Sequence, residues 1–249
     1  MLNSNLIGLS GKLNSGKDTV GQLIMMHVAL NECPSLKKSK NNIQELLSNW
    51  EDESWMFRDC SEYQIKKFAY KLKQIISILT GIPILDLEKA EVKNSKVGEE
   101  WAYLLWFNGK KFLRVNPNKW NDFEPHRLKN YTFREMLQYL GTELFREQLH
   151  EDVWVNAMFS DFKSNDSLNN KWIITDVRFP NEAEAIRKRN GLLIRVENPN
   201  YVPTPNEHSS ETSLDDYENF SATIVNNKDD GLEKLSNVVF ELLKSENII

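Results

Sequence analysis

The stretch Asn5-Leu6-Ile7-Gly8-Leu9-Ser10-Gly11-Lys12-Leu13-Asn14-Ser15-Gly16-Lys17-Asp18-Thr19 decides how the rest of the chain is read. Its first part, Asn5 to Ser10, is a short apolar run that stops at Gly11, which suits a buried strand ending in a tight turn. From Asp18 to Leu30, the residues Val20, Leu23, Ile24, His27 and Val28 recur at helical spacing. Strand, glycine loop and helix form the first unit. Between strand and helix, Gly11 to Lys17 has the spacing of a phosphate loop: glycine, four residues, then Gly16-Lys17. The glycines let the backbone curl around an anion with its N–H groups inward, the helix adds its positive end, and Lys17 can reach terminal phosphates. The full pattern wants Ser or Thr next, as a hydroxyl for Mg²⁺. Here Asp18 stands there with Thr19 behind it, and Thr19 can supply the hydroxyl from one position later. A carboxylate turned inward would repel phosphate, so Asp18 is expected to face the metal, its waters or a backbone amide. The competing reading is an ordinary glycine-rich turn.

Further along, Trp172-Ile173-Ile174-Thr175 reads as a second buried strand, followed after Pro180 by a helix that Asn181 caps and Gly191 ends. Leu192–Val196 and Ala222–Val225 read as two more strands, and Leu232–Leu243 as a closing amphipathic helix. Strands alternating with helices predict an α/β fold, a parallel sheet of about five strands flanked by helices. Residues 31–64 are polar and read as a helical insertion or loop. Residues 98–130 are rich in aromatic residues, and Tyr103–Phe107 and Lys111–Val115 flank Asn108-Gly109, a strong hairpin signal. The expected organisation is one domain over 1–249 with insertions at about 31–64 and 86–130, serving as lid, substrate cap or dimer contact.

The charge balance, 31 basic against 36 acidic residues and net -5, lacks the basic surplus of a dedicated nucleic-acid binder. Cys33 and Cys60 have no metal-knuckle or redox spacing. No run approaches the roughly 20 apolar residues that span a bilayer. A cytoplasmic protein with neither nucleic-acid nor membrane partners is the expectation.

Two further segments carry chemistry. Thr132-Phe133-Arg134-Glu135 is a capping box opening a helix to about Leu149, with Phe133, Met136, Leu137, Leu140 and Leu144 as its core face. Arg134, Gln138, Gly141 and Thr142 fall at i, i+4, i+7 and i+8, a stripe with a cation, an amide, a gap and a hydroxyl. That stripe suits a phosphorylated small molecule, with the guanidinium forking onto phosphate; a solvated face with a chance glycine is the alternative. Asp176 and Arg178 stand where the strand from Trp172 runs out, the position at which open α/β sheets bind ligands. Asp176 could hold a Mg²⁺ water and Arg178 a transferring phosphate; a plain ion pair is the alternative. Glu182 answers a helix dipole, and His208-Ser209-Ser210-Glu211 reads as a helix start capped by Ser209 or Ser210.

In combination these residues resemble the deoxynucleoside monophosphate kinases of tailed bacteriophages. The matching segments are Gly11 to Thr19, Phe68-Ala69-Tyr70-Lys71-Leu72-Lys73, Arg134 to Thr142 with Phe145-Arg146 and Trp154-Val155, Thr175 to Ala183, and His208 with Ser210-Glu211. The resemblance implies a P-loop kinase fold that transfers the ATP γ-phosphoryl group to a deoxynucleoside 5′-monophosphate, making precursors for phage DNA in a host cytoplasm. It implies that Gly11, Ser15, Gly16, Lys17, Asp18 and Thr19 serve ATP. Arg134, Gln138, Gly141, Thr142, Trp154, Asp176, Arg178 and Glu182 would surround the acceptor or the transferring group. Mg²⁺ would lie near Thr19, Asp18 and Asp176, directly or through water, and Lys17, Arg134, Asp176 and Arg178 would be catalytic. A homodimer is compatible with this reading. Keeping the loop but changing the acceptor gives a dephospho-coenzyme A kinase-like or phosphomevalonate kinase-like enzyme. A non-catalytic nucleotide-binding regulator is the remaining alternative.

Overall fold

In a computed structural model, described residues are 5–33, 60–107, 112–115, 126–162, 171–203 and 208–249, with 36, 45, 47 and 57 between them. At 103–107, 112–115 and 126–129 the backbone alone is described. The chain forms two compact units, Met1–Phe68 with Val155–Ile249, and Ala69–Trp154. The expected insertion at 86–130 falls inside the second.

In the first unit, β1 (Leu6–Ser10) leads into α1 (Lys17–Glu32) and then β2 (Tyr63–Lys66). The second unit holds α2 (Ala69–Thr80), α3 (Ala90–Asn94), β3 (Tyr103–Phe107), β4 (Phe112–Val115), β5 (His126–Lys129) and α4 (Phe133–Gln138). After α5 (Val153–Phe159), the first unit resumes with β6 (Lys171–Val177), α6 (Pro180–Arg187), β7 (Leu192–Glu197), α7 (Ser209–Thr212), β8 (Ala222–Val225) and α8 (Gly231–Ser245).

Strands of the first unit make one parallel sheet in the order β2-β6-β1-β7-β8. Every residue of β1 is buried, as a central parallel strand covered on both faces requires. Ile7 and Leu9 turn toward Val20, Leu23 and Ile24 of α1, while Gly8 turns toward Ile186 of α6. At Gly21, a Cβ would stand 2.7 Å from the Thr175 methyl, so only glycine lets α1 lie this close to β6. His27, 4% exposed, bonds the Ser236 carbonyl at 3.0 Å and fastens α8 to α1.

Four expectations are corrected. Residues 31–32 belong to α1 and 63–64 to β2; most of the expected insertion between them lies outside the described residues. At α6, Phe179 holds the cap position and Asn181 lies inside the first turn, its Oδ1 accepting the Glu182 N–H at 3.0 Å. Asn190, at φ 58, rather than Gly191, takes the left-handed turn that ends this region. The helix from Thr132 is α-type only to Gln138 and π-type over Tyr139–Leu149, where His150 N–H reaches Phe145 O, five residues back. The hairpin is present, with Phe107 opposite Phe112 and β5 on the other side of β3; the Asn108-Gly109 turn lies outside the described residues.

Candidate active site

The loop leaves β1 at Ser10, which pairs with Val177 of β6 and Arg195 of β7, so it emerges at the carboxyl ends of three strands. Asn14 and Gly16 take left-handed conformations, φ 61 and φ 90, and bend the chain back on itself. At Gly16 a Cβ would strike the side-chain amide of Asn226, whose Nδ2 donates to the Ser15 carbonyl at 2.8 Å. The Val20 N–H bonds the Gly16 carbonyl at 2.9 Å, so the helix ladder starts from the loop itself. The Ser15 hydroxyl is buried without a hydrogen-bond partner. Lys17 is 8% exposed, and its ammonium donates to the Lys12 carbonyl at 3.3 Å across the loop. Burial first, then the Arg178 guanidinium, presses its pKa below the usual lysine value; Asp18, Glu211 and Asp176 oppose them.

Asp18 is exposed at its outer side, and its carboxylate engages two side chains and not a backbone amide. Its Oδ1 accepts the Thr175 hydroxyl at 2.6 Å and pairs with the Lys67 ammonium at 3.1 Å. The reason lies in the register: Lys66 is opposite Ile174, which puts Lys67 beside Thr175 at the end of the β2–β6 ladder. Burial pulls the Asp18 pKa up, but the Lys67 charge, the Thr175 and Lys67 bonds and Lys17 outweigh it and leave it below the usual value. Asp176 is 9% exposed and accepts the Phe68 N–H at 2.7 Å. Thr19 is half-buried on the first turn of α1. Among the described residues, no group of three His, Cys, Asp or Glu side chains is placed to enclose a metal.

Arg178 extends past β6, and its guanidinium pairs with Glu211 and lies 3.5 Å from the Ser210 hydroxyl. Its backbone is fixed by Glu182, 3% exposed, whose Oε2 accepts the Arg178 N–H at 2.8 Å and the Phe179 N–H at 3.2 Å. The Glu182 carboxylate folds back over the start of α6, where two amides lack helix partners, as the helix-dipole reading expects. At α7 the cap is His208, whose Nδ1 accepts the Ser210 N–H at 3.2 Å, and not Ser209 or Ser210.

The second unit carries the other expected residues. Arg134 donates from Nε to the Asn94 Oδ1 at 3.0 Å, and with Gln138 and Thr142 it is partly exposed. Gly141 is buried, and the π-type turns break the α spacing that put it on one stripe with Arg134. The gap it leaves is filled: a Cβ there would meet Leu72 at 2.8 Å, and its carbonyl accepts the Trp154 indole N–H at 2.7 Å. Trp154 is 6% exposed and packs edge-on against Phe145, so its ring belongs to the core of this unit.

Gly11, Ser15 to Thr19, Asp176 and Arg178 thus converge in the first unit. Lys67, Glu211 and Asn226 join them there and were missed as site residues. Lys67 and Asn226 each follow the last residue of a strand, and that position was the available signal.

The family model for deoxynucleotide monophosphate kinases matches residues 5–239 of this chain. A deoxynucleoside-5′-monophosphate kinase of Escherichia phage T5 is 26% identical over 241 residues, covering 85% of each chain. A protein of Acanthamoeba polyphaga mimivirus, named for the same activity, is 32% identical over 106 residues, 39% of this chain and 54% of that protein.

Proposed function

This chain belongs to the deoxynucleotide monophosphate kinase family and is a phosphotransferase; on that premise we propose that ATP is its donor and a deoxynucleoside 5′-monophosphate its acceptor, giving ADP and the diphosphate. The observation that carries this reading is the convergence of a phosphate loop, the buried Lys17 and the Arg178 guanidinium at the carboxyl ends of β1 and β6. The match over residues 5–239 sets aside the dephospho-coenzyme A kinase-like, phosphomevalonate kinase-like and regulator readings.

The nucleophile is an acceptor phosphate oxygen, largely ionised near neutrality because its second pKa is about 6, so no strong general base is needed. The demand is to bring two anions together in line and to offset charge during transfer. The loop amides and Lys17 grip the donor phosphates, and the partnerless Ser15 hydroxyl fits a polyanion bound in the loop. Arg178 supports the transferring group, and Arg134, with Gln138 and Thr142, holds the acceptor. Gly141 and Trp154 back that face through their mutual hydrogen bond, and Glu182 positions Arg178. Magnesium is bound through few protein oxygens plus substrate phosphates, and Thr19 with Asp176, directly or through water, are the oxygens we assign; Asp18 is engaged by Thr175 and Lys67. An ion held there would supply neutralisation of the phosphate charge.

Both units together form one kinase domain in this reading, acting in the cytoplasm of a host cell without nucleic-acid or membrane partners. No helix among the described residues is long and apolar enough to cross a membrane. A steady-state assay with ATP against a panel of deoxynucleoside and ribonucleoside monophosphates tests the assignment. Phosphorylation of at least one deoxynucleotide is expected, together with loss of turnover in R178A at unchanged fold. Near-normal kinetics in R178A would remove Arg178 from the mechanism.

A further inference from the structure

A carboxylate near a polyanion site is an electrostatic cost unless it does something that a neutral group cannot. Glu211 is such a residue. One of its oxygens, Oε2, accepts the Leu13 N–H at 3.1 Å, and the other, Oε1, accepts the Arg178 guanidinium. Its carbonyl takes the Lys12 ammonium at 2.7 Å, and Lys12 also reaches Asp215 Oδ2 at 2.7 Å. Residues 12 and 13, at the tip of the phosphate loop, are thus tied to the 211–215 segment from both sides.

Ser210 meets the same Arg178 nitrogen, Nη1, that Glu211 holds. The Ser210 hydroxyl, 3.5 Å from the guanidinium, is itself 3.0 Å from His208 Nδ1, and that nitrogen also accepts the Ser210 N–H. One ring nitrogen accepting twice fixes the short turn 208–211. The turn presents a hydroxyl and a carboxylate side by side to one guanidinium. A long arginine side chain loses substantial rotamer freedom when it is held this way, and binding energy need not be spent on ordering it later.

We propose that Glu211 is a positioning residue that couples the phosphate loop to Arg178, so that the guanidinium stands at a set reach from the loop amides. The proposal rests on the reading above, in which the loop binds donor phosphates and Arg178 meets the transferring group. Through Glu211, the loop tip and the guanidinium are registered against a single carboxylate. Misplacement of a charged group by about 1 Å can cost on the order of 10²-fold in rate, so the coupling acts on turnover more than on binding.

The test is a double-mutant cycle with E211A, R178A and E211A/R178A, accompanied by E211Q. Turnover, KM for ATP and equilibrium binding of ATP are measured for each. E211A is expected to lose on the order of 10²-fold in kcat with ATP affinity changed less than about threefold. The double variant should be no slower than R178A alone. E211Q, which keeps an oxygen for the Leu13 N–H but loses the charge that holds the guanidinium, should fall between wild type and E211A. Losses that multiply in the double variant would overturn the coupling, as would E211A at wild-type kcat. Wild-type kinetics in R178A would instead sink the role of Arg178, which is a separate result. Far-UV circular dichroism and the melting temperature of each variant separate loss of coupling from loss of fold.

Discussion

Replacing Glu182 distinguishes a group that touches substrate from one that builds the site. Its Oε2 accepts two backbone N–H groups, those of Arg178 and Phe179, at 2.8 and 3.2 Å, and its side chain is almost wholly buried. In E182A both amides lose their acceptor, at about 1–3 kcal/mol each for a hydrogen bond to a charged group. Arg178 and Phe179 are half-buried, so water replaces part of what is lost. The lower part of the range then applies, roughly 2–3 kcal/mol in total, against a whole-protein stability of about 5–15 kcal/mol. In E182Q an amide oxygen remains for both N–H groups, and the cost shrinks to about 1 kcal/mol. Urea denaturation gives the stabilities, and hydrogen exchange of the segment 178–182 reads the two amides directly. E182A should lose protection there together with turnover, while E182Q should keep both within a few-fold. An E182Q variant with wild-type stability and no activity would refute the reasoning, because it would place the carboxylate on the substrate.

Gly16→Ala forces a side chain into a left-handed conformation and against Asn226, at about 1–2 kcal/mol from the backbone alone; ATP binding by calorimetry should weaken or vanish while the sheet remains folded. Trp154→Phe keeps the ring packing but removes the indole N–H from the Gly141 carbonyl, and should cost about 1 kcal/mol in thermal denaturation. Asp18, whose folded pKa is depressed, contributes stability that is present above the ordinary carboxylate value and lost as pH falls through the lower folded value. D18N should therefore show a shallower loss of stability than wild type below about pH 4, read from melting temperatures between pH 7 and pH 2.5.

Much of the first unit was legible because its chemistry needs particular residues in a row. An anion loop cannot be built without Gly11, Gly16 and Lys17, and the central parallel strands announce themselves by the buried apolar runs Leu6–Leu9 and Trp172–Ile174. Tyr63–Lys66 was hidden because an edge strand is buried on one side only, and its four residues follow a long polar stretch. The π-type turns from Tyr139 defeat any argument from a 3.6-residue period, which explains why the stripe from Arg134 to Thr142 was read too simply. The partners of Asp18 and Arg178 were out of reach for a different reason. Lys67 and Glu211 sit far from them in sequence, and spacing rules describe only what one element presents.

The place of β1 in the sheet has a consequence for how this protein is born. Its ladder partners are β6 and β7, which start at Lys171 and Leu192, and β2 pairs with β6. During synthesis two early strands wait, fully translated, through more than a hundred further residues before any mate exists, and an apolar ribbon without a mate invites association with other chains. The intervening stretch has a sheet of its own, β4-β3-β5, that closes locally. Fragments ending before Lys171 should accordingly be poorly soluble, and a chaperone that shields the first dozen residues would raise the yield of active enzyme.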